Sequence, residues 1–284
     1  MRFDDRCYDC LLSRVRLECG LCGAGEEKTA GVVASCGKLL ERLRTEPLTH
    51  PQIASAMHRQ AYELLGSQDP FTALKEQSNR EALAVCRKVR GELSTFRDFV
   101  LASIIGNTYD YGVKGHTVTG DFLTYFDHEY SAGLVIDDTQ EIEKRISRVV
   151  YITDNCGEIV FDRLLLEYLF CHGSSITLAV RDAPILNDAT MEEVRTLRLD
   201  RFADMVTTTG CGCELGVRLD CMPPELARAV RDSTLILAKG MANYESLSTY
   251  TGLPPVAYLM AVKCEPIADE VGVPRGSKVA MLQV

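Results

Sequence analysis

Oxygen-bearing side chains gather at a few points in the second half of this sequence. Asp154 and Asn155 stand between an apolar run, 149–153, and a helical-looking stretch, 158–172, entered through Gly157. Arg181-Asp182 closes another apolar run and leads to Asn187-Asp188. Lys239-Gly240 precedes Asn243-Tyr244-Glu245, and Lys263-Cys264 ends a further run. Two carboxylates and an amide oxygen form a hard-ligand set suited to Mg²⁺ or Mn²⁺. A cation held there would orient a phosphate and lower the pKa of a water for attack. Lys239 and Lys263 would offset charge on the phosphoryl oxygens. A plainer reading stays open beside this one. Asp154, Asn155 and Asp188 are all good helix N-caps, and Lys239 can be a solvated strand end.

Whether these groups meet depends on the elements that carry them. Apolar, β-branched runs occur at 149–153, 175–181, 204–209, 233–238, 256–262 and 278–283, with helical stretches such as 158–172 and 224–231 between the earlier ones. Strands alternating with helices imply βαβ units and a mostly parallel sheet covered on both faces. In such a sheet ligands bind beyond the carboxyl ends of the strands, where the acids, amides and lysines named above fall. The first hundred residues read differently. Segments 29–44 and 51–65 carry apolar residues at helical spacing. A third helix begins at Asp69-Pro70, a cap followed by the proline favoured at the first helical position, and runs through Val89. A fourth covers 94–105. The expected organisation is an all-helical N-terminal domain over 1–105, a junction of irregular Gly, Asp and Tyr content over 106–148, and a three-layer α/β/α domain over 149–284.

The chain has 284 residues, a formal net charge of −9 and nearly half apolar composition. A net acidic chain whose Lys and Arg are scattered among acids lacks the basic stripe that holds a phosphate backbone. We therefore expect no nucleic-acid partner, and a small-molecule ligand instead. No apolar run approaches the ~20 residues that cross a bilayer. Met1 is followed by Arg-Phe-Asp-Asp rather than an apolar signal core, so a cytoplasmic protein with no membrane partner is expected. Its 12 cysteines are then expected as reduced thiols or metal ligands rather than a disulfide scaffold.

The ordered set of motifs resembles a known family, the metal-dependent damage-control phosphatases, formerly catalogued as a domain of unknown function, number 89. The residues that carry the likeness are Asp154-Asn155-x-Gly157-Glu158 with Asp162, then Asn187-Asp188-Ala-Thr, then Lys239-Gly240-x-x-Asn243-Tyr244-Glu245. Gly106-Asn107-x-x-Asp110, Cys7-x-x-Cys10 and Lys263-Cys264 add to it. The cysteine pair and compact length resemble its prokaryotic, CxxC-bearing branch. The resemblance implies a divalent metal (Mn²⁺, Mg²⁺, Ni²⁺ or Co²⁺) on Asp154, Asn155 and Asp188, with Lys239 on the phosphate. It also implies hydrolysis of small phosphorylated metabolites, sugar phosphates or damaged metabolites, by metal-activated water. Asn107, Asp110 and Glu158 would line the pocket, with Arg181, Asn187, Asn243 and Glu245 as further substrate-binding candidates. An aspartyl-phosphate route on Asp154 fits less well, because Cys156 stands where haloacid-dehalogenase-like phosphatases carry a second Asp.

Other signals point elsewhere. Cys7-x-x-Cys10 and Cys19-x-x-Cys22 would close a zinc site if all four met, although the helical stretch 11–18 between them spans ~12 Å. Alternatively, the first pair is redox-active or metal-touching, or the thiols are structural. Gly210-Cys-Gly-Cys-Glu-Leu-Gly216 is spaced like a dinucleotide loop, but Cys221-Met222-Pro223-Pro224 arrives too soon for the helix that motif needs. His172 reads as a helix end, and His50, His58, His116 and His128 show no catalytic pairing. Two rival functions follow. An S-adenosylmethionine-dependent methyltransferase would bind at the same sheet edge, and a thiol-based metal or redox sensor would depend on Cys7 and Cys10.

Overall fold

A computed structural model describes residues 3–107 and 122–284. Its first three helices are α1 (Tyr8–Leu21), α2 (Glu26–Leu43) and α3 (His50–Leu65). Each buries one stripe at four-residue spacing: Leu11, Val15 and Cys19 on α1, Val32, Cys36 and Leu40 on α2, Ile53, Met57, Ala61 and Leu65 on α3. Residues so spaced share a helix face, and the three stripes close on one another as a separate apolar core. Helix α3 is opened by a Thr49/Gln52 capping box with Pro51 in its first turn, and closed by Gly66 at φ 73°, as those residue types favour.

Three more helices, α4 (Thr72–Val89), α5 (Phe96–Gly106) and α6 (Phe122–Ala132), follow. Side chains of α4 and α5 belong to the larger core under the sheet rather than to the first helical core. Helix α5 approaches α8 (Glu158–Cys171) closely at Gly106, where a Cβ would meet the Phe161 ring at 2.8 Å. The helical region thus runs on to Ala132 before the first strand.

Among the described residues seven strands form one sheet: β1 (Ile136–Asp137), β2 (Arg148–Ile152), β3 (Ser175–Val180), β4 (Met205–Thr208), β5 (Leu235–Lys239), β6 (Val256–Ala261) and β7 (Lys278–Gln283). Their order is β1-β7-β6-β5-β2-β3-β4. Every pairing is parallel except β6 with β7. The remaining helices are α7 (Thr139–Glu143), α9 (Met191–Leu197), α10 (Pro224–Asp232), α11 (Gly240–Leu247) and α12 (Glu265–Val271). Alternate strand residues serve opposite faces: Val149 and Tyr151 join the core with α5 and α8, Val150 and Ile152 the core with α10 to α12. The architecture is a three-layer α/β/α sandwich with a mostly parallel sheet and an added helical region, as the alternation of runs implies.

Chain order reverses at β2: β3 and β4 lie on one side of it, β5 and β6 on the other. Such a reversal opens a crevice at the carboxyl ends of the strands. One sequence expectation changes in detail, and the change matters for the site. The run 233–238 becomes a strand from Leu235 through Lys239, so Lys239 is a strand residue and not a solvated end. No described helix is long and apolar enough to cross a membrane.

Candidate active site

The loops leaving β2 and β3 are stitched together by backbone hydrogen bonds. Ala189 N donates to Asp154 O at 2.8 Å, Cys156 N to Asn187 O at 2.8 Å, and Thr153 N to Ala179 O at 3.0 Å. Asn155 and Asp188 pair as an isolated antiparallel bridge. This places Asp154, Asn155 and Asp188 together although 33 residues separate the outer two. None of the three caps the helix that follows. Gly157, at φ 81°, holds the N-cap position of α8 with no side-chain cap bond. Thr190 and Glu193 form the capping box of α9. Helix capping therefore does not account for these side chains.

Asp154 Oδ2 accepts hydrogen bonds from Asn155 Nδ2 at 2.6 Å and from Asn107 Nδ2 at 3.1 Å. Arg181, 1% exposed, donates from Nε to Asp188 Oδ2 at 2.6 Å, and its Nη2 lies 3.6 Å from Asp154 Oδ1. Its Nη1 donates to Gly216 O at 2.7 Å and Asn243 Oδ1 at 3.1 Å. Asn243 Nδ2 in turn donates to Thr153 O and Lys239 O, at 3.0 and 2.6 Å, tying the ends of β2 and β5. Gly240, at φ 73°, lies so close to Asp154 that a Cβ there would overlap the carboxylate. Burial, then the negative charges of Asp188 and Glu158, push the Asp154 carboxyl well above its ordinary value, because both disfavour ionisation.

A second tier of charge sits behind the first. Lys239 Nζ donates to Glu158, to Asp162 Oδ1 at 2.8 Å, and to Ser103 O at 3.3 Å. All three ionic side chains are fully buried. Tyr151 OH donates to the same Asp162 oxygen at 2.8 Å, and Asn107 Nδ2 donates also to Glu158. Burial, only partly offset by the Lys239 charge, pushes the Asp162 carboxyl up to about 7. Burial works against the Lys239 ammonium, but Asp162 and Glu158 prevail and hold its pKa above the ordinary lysine value.

A cavity of about 110 Å³ adjoins the cluster. Of the residues expected at the site, Asn107, Asp154, Asn155, Asn187, Asp188 and Glu245 line it. Lys239, Glu158, Arg181 and Asn243 are buried behind that wall. Asp110 lies outside the described residues. Lys263 also lines the cavity, as do Arg14 and His50 from the helical region. The histidine reading changes here: His50 Nδ1 lies 2.7 Å from Glu245 Oε1, and His58 Nδ1 lies 2.6 Å from Glu18 Oε1. Neither pairing is legible in spacing, since 195 and 40 residues separate the partners.

The four-cysteine zinc site is not formed. Helix α1 runs unbroken from Tyr8 to Leu21, so the nine residues from Cys10 to Cys19 separate the pairs by ~13 Å. Cys19 is buried in the helical core, whereas Cys7, Cys10 and Cys264 line the cavity. The expectation of reduced thiols also changes at one place. Cys211 and Cys221 are joined as a disulfide with Cα atoms 5.6 Å apart, while the other ten cysteines are free. Left-handed Gly210, Cys211 and Gly212 curl that loop back on itself.

Among the described residues no group of three or more His, Cys, Asp or Glu side chains is arranged to hold a metal. The strand-end set is of another kind: two carboxylates supplemented by amides. Around it, four buried carboxylates (Asp154, Glu158, Asp162, Asp188) face three cations (Arg181, Lys239, Lys263). Asn107 Oδ1 is buried without a hydrogen-bond partner among the described residues. Uncompensated negative charge beside an unsatisfied amide oxygen suits a hard divalent cation.

Residues 3–279 match the family described as the damage-control phosphatase ARMT1-like domain. The chain is 39% identical, over 99% of both chains, to a damage-control phosphatase of Archaeoglobus fulgidus. It is 32% identical to a damage-control phosphatase of Pyrococcus horikoshii, over 86% of this chain and 85% of that one. The crystal structure of a DUF89 family protein from Pyrococcus horikoshii superposes with a TM-score of 0.90 at 28% identity, covering 99% of each chain.

Proposed function

The chain belongs to the damage-control phosphatase ARMT1-like family, and from that membership we propose that it hydrolyses small phosphorylated metabolites at the cluster around Asp154. Asp154, Asn155 and Asp188 would hold a divalent cation, with the Asn107 amide oxygen beside them. When bound, such a cation supplies Lewis-acid charge to the phosphoryl oxygens and lowers the pKa of a water. The remaining work falls to the chain's own groups. Arg181 holds Asp188 and faces Asp154, keeping both carboxylates in register. Lys263, on the cavity wall, is the cation placed to meet a phosphoryl group.

Lys239 acts at one remove: its ammonium orients Glu158 and Asp162, and Glu158 shares Asn107 with Asp154. Cys156 is fully buried, and burial first, then the Glu193 charge, pushes its thiol well above the ordinary value. It offers no acid for an aspartyl-phosphate route.

The observation that carries this reading is the pair Asp154 and Asp188, delivered by two neighbouring strand ends to one cavity wall. The test is hydrolysis of phosphomonoesters by wild type and D154A, with Mg²⁺ or Mn²⁺ and under chelation. Activity that requires the metal and is lost in D154A is expected. Hydrolysis persisting equally in the variant and under chelation would remove the mechanism. Binding of S-adenosylmethionine without metal-dependent hydrolysis would favour methyl transfer instead.

A further inference from the structure

The cavity has two chemically different halves. The sheet side presents Asp154, Asn155, Asp188 and Lys263, whereas Leu11, Ala54, Leu186 and Leu215 border it as part of the helical core. Leu11 lies on α1, Ala54 on α3 and Leu215 on the loop after β4. That apolar half is firmly seated. Leu215 N donates to Ser55 Oγ at 2.8 Å, and Leu186 N to Tyr62 OH at 2.9 Å. At the next residue, Gly216, φ is 67° and a Cβ would come within 2.6 Å of Ala242 O and Ser246 Oγ. The three leucines are only 2%, 3% and 6% exposed. Close packing of this kind does not recede without cost.

At about 110 Å³ the cavity is smaller than the ~150 Å³ hole that takes up benzene. A phosphoryl group against the acids occupies much of it. We propose that the preferred substrates are phosphomonoesters with a short organic part, of glycolate or glycerol size, and that Leu11 and Leu215 set this limit from the helical side. The inference rests on the phosphatase reading. It separates short-chain esters from hexose phosphates and nucleotides, whose rings would have to displace the leucine wall.

The test is a substrate series with Mn²⁺ or Mg²⁺ present: 2-phosphoglycolate, glycerol 3-phosphate, glucose 6-phosphate and AMP. Wild type is expected to show kcat/KM at least about tenfold higher for the two short esters, within the range that steric exclusion gives. Leu215→Ala is expected to narrow that ratio several-fold by raising turnover of glucose 6-phosphate. Equal or better hydrolysis of glucose 6-phosphate or AMP by wild type overturns the size limit and leaves the phosphatase reading standing. So does a folded Leu215→Ala protein with an unchanged ratio. If that variant does not fold, the wild-type ratio decides alone. Absence of turnover across the whole series overturns the phosphatase reading and this inference with it.

Discussion

Two groups of ionisable side chains are fully buried in this chain, and their surroundings differ. Glu18 and His58 meet inside the helical core, Nδ1 to Oε1 at 2.6 Å, with neither residue exposed. Glu18 Oε2 and His58 Nε2 have no hydrogen-bond partner, and neither residue lines the strand-end cavity. At the strand ends, Lys239, Glu158, Asp162, Arg181, Asp154 and Asp188 form a linked set held by backbone groups of three strands and open on one side to a cavity. Burial is common to both. What separates a structural pair from a reactive cluster is where the chain delivers it. Helix interiors enclose polar groups, whereas aligned strand ends present them to a crevice.

Four experiments sharpen or break that contrast. The largest effect is expected from D154A, a loss of turnover on the order of a hundredfold or more, as for removal of a group that stabilises transition-state charge. The E18Q protein should retain wild-type turnover per folded molecule. If E18Q lost as much activity as D154A, the two clusters would not be functionally distinct.

Next comes Lys239→Met, which strands two buried carboxylates. A loss of about 3–5 kcal/mol is expected, read from denaturant midpoints. A loss below ~1 kcal/mol would mean that Lys239 behaves like a surface lysine, contrary to its depth.

A pH effect follows. Asp162 ionises at about 7 in the folded chain against an ordinary 3.8, so between those values the native state holds a proton that the unfolded state has released. Stability of the metal-free protein should therefore fall as pH rises from ~4 to ~7, by up to about 1.4 kcal/mol per pH unit. Asp154 acts in the same direction. Thermal melts of chelated protein check this, and stability rising over that window would contradict the sign. The smallest effect is on E18Q stability itself, a loss of about 1–3 kcal/mol as a buried charge-assisted bond is weakened, measured in the same melts.

The strands β2 to β7 are legible in sequence because each is a short continuous run of apolar residues, and the reversed pattern of helix stripes marks α2 and α3 as clearly. Strand β1 is not legible: two residues, Ile136 and Asp137, carry no periodicity, and only pairing with β7 defines them. At the site, Asp154, Asn155 and Asp188 stand out because polar residues directly after buried strands are conspicuous. His50 does not, because its partner Glu245 is brought to it by packing of α3 on α11. Lys239 is half legible. Its place after an apolar run is visible, but its depth depends on β5 including it and on α8 supplying Glu158 and Asp162 from above.

Local sequence thus determined which segments become strands and helices, and which oxygen and nitrogen groups stand at their ends, because periodicity and residue type act over a few neighbours. Tertiary structure alone decided which groups share a cavity. The order reversal at β2 put Asp154, Arg181 and Lys239 on adjacent strands, and the packing of α1 and α3 brought Leu11 and His50 to the same wall. Those contacts join residues far apart in the chain, and no spacing rule records them, since they arise only when separate cores close against each other.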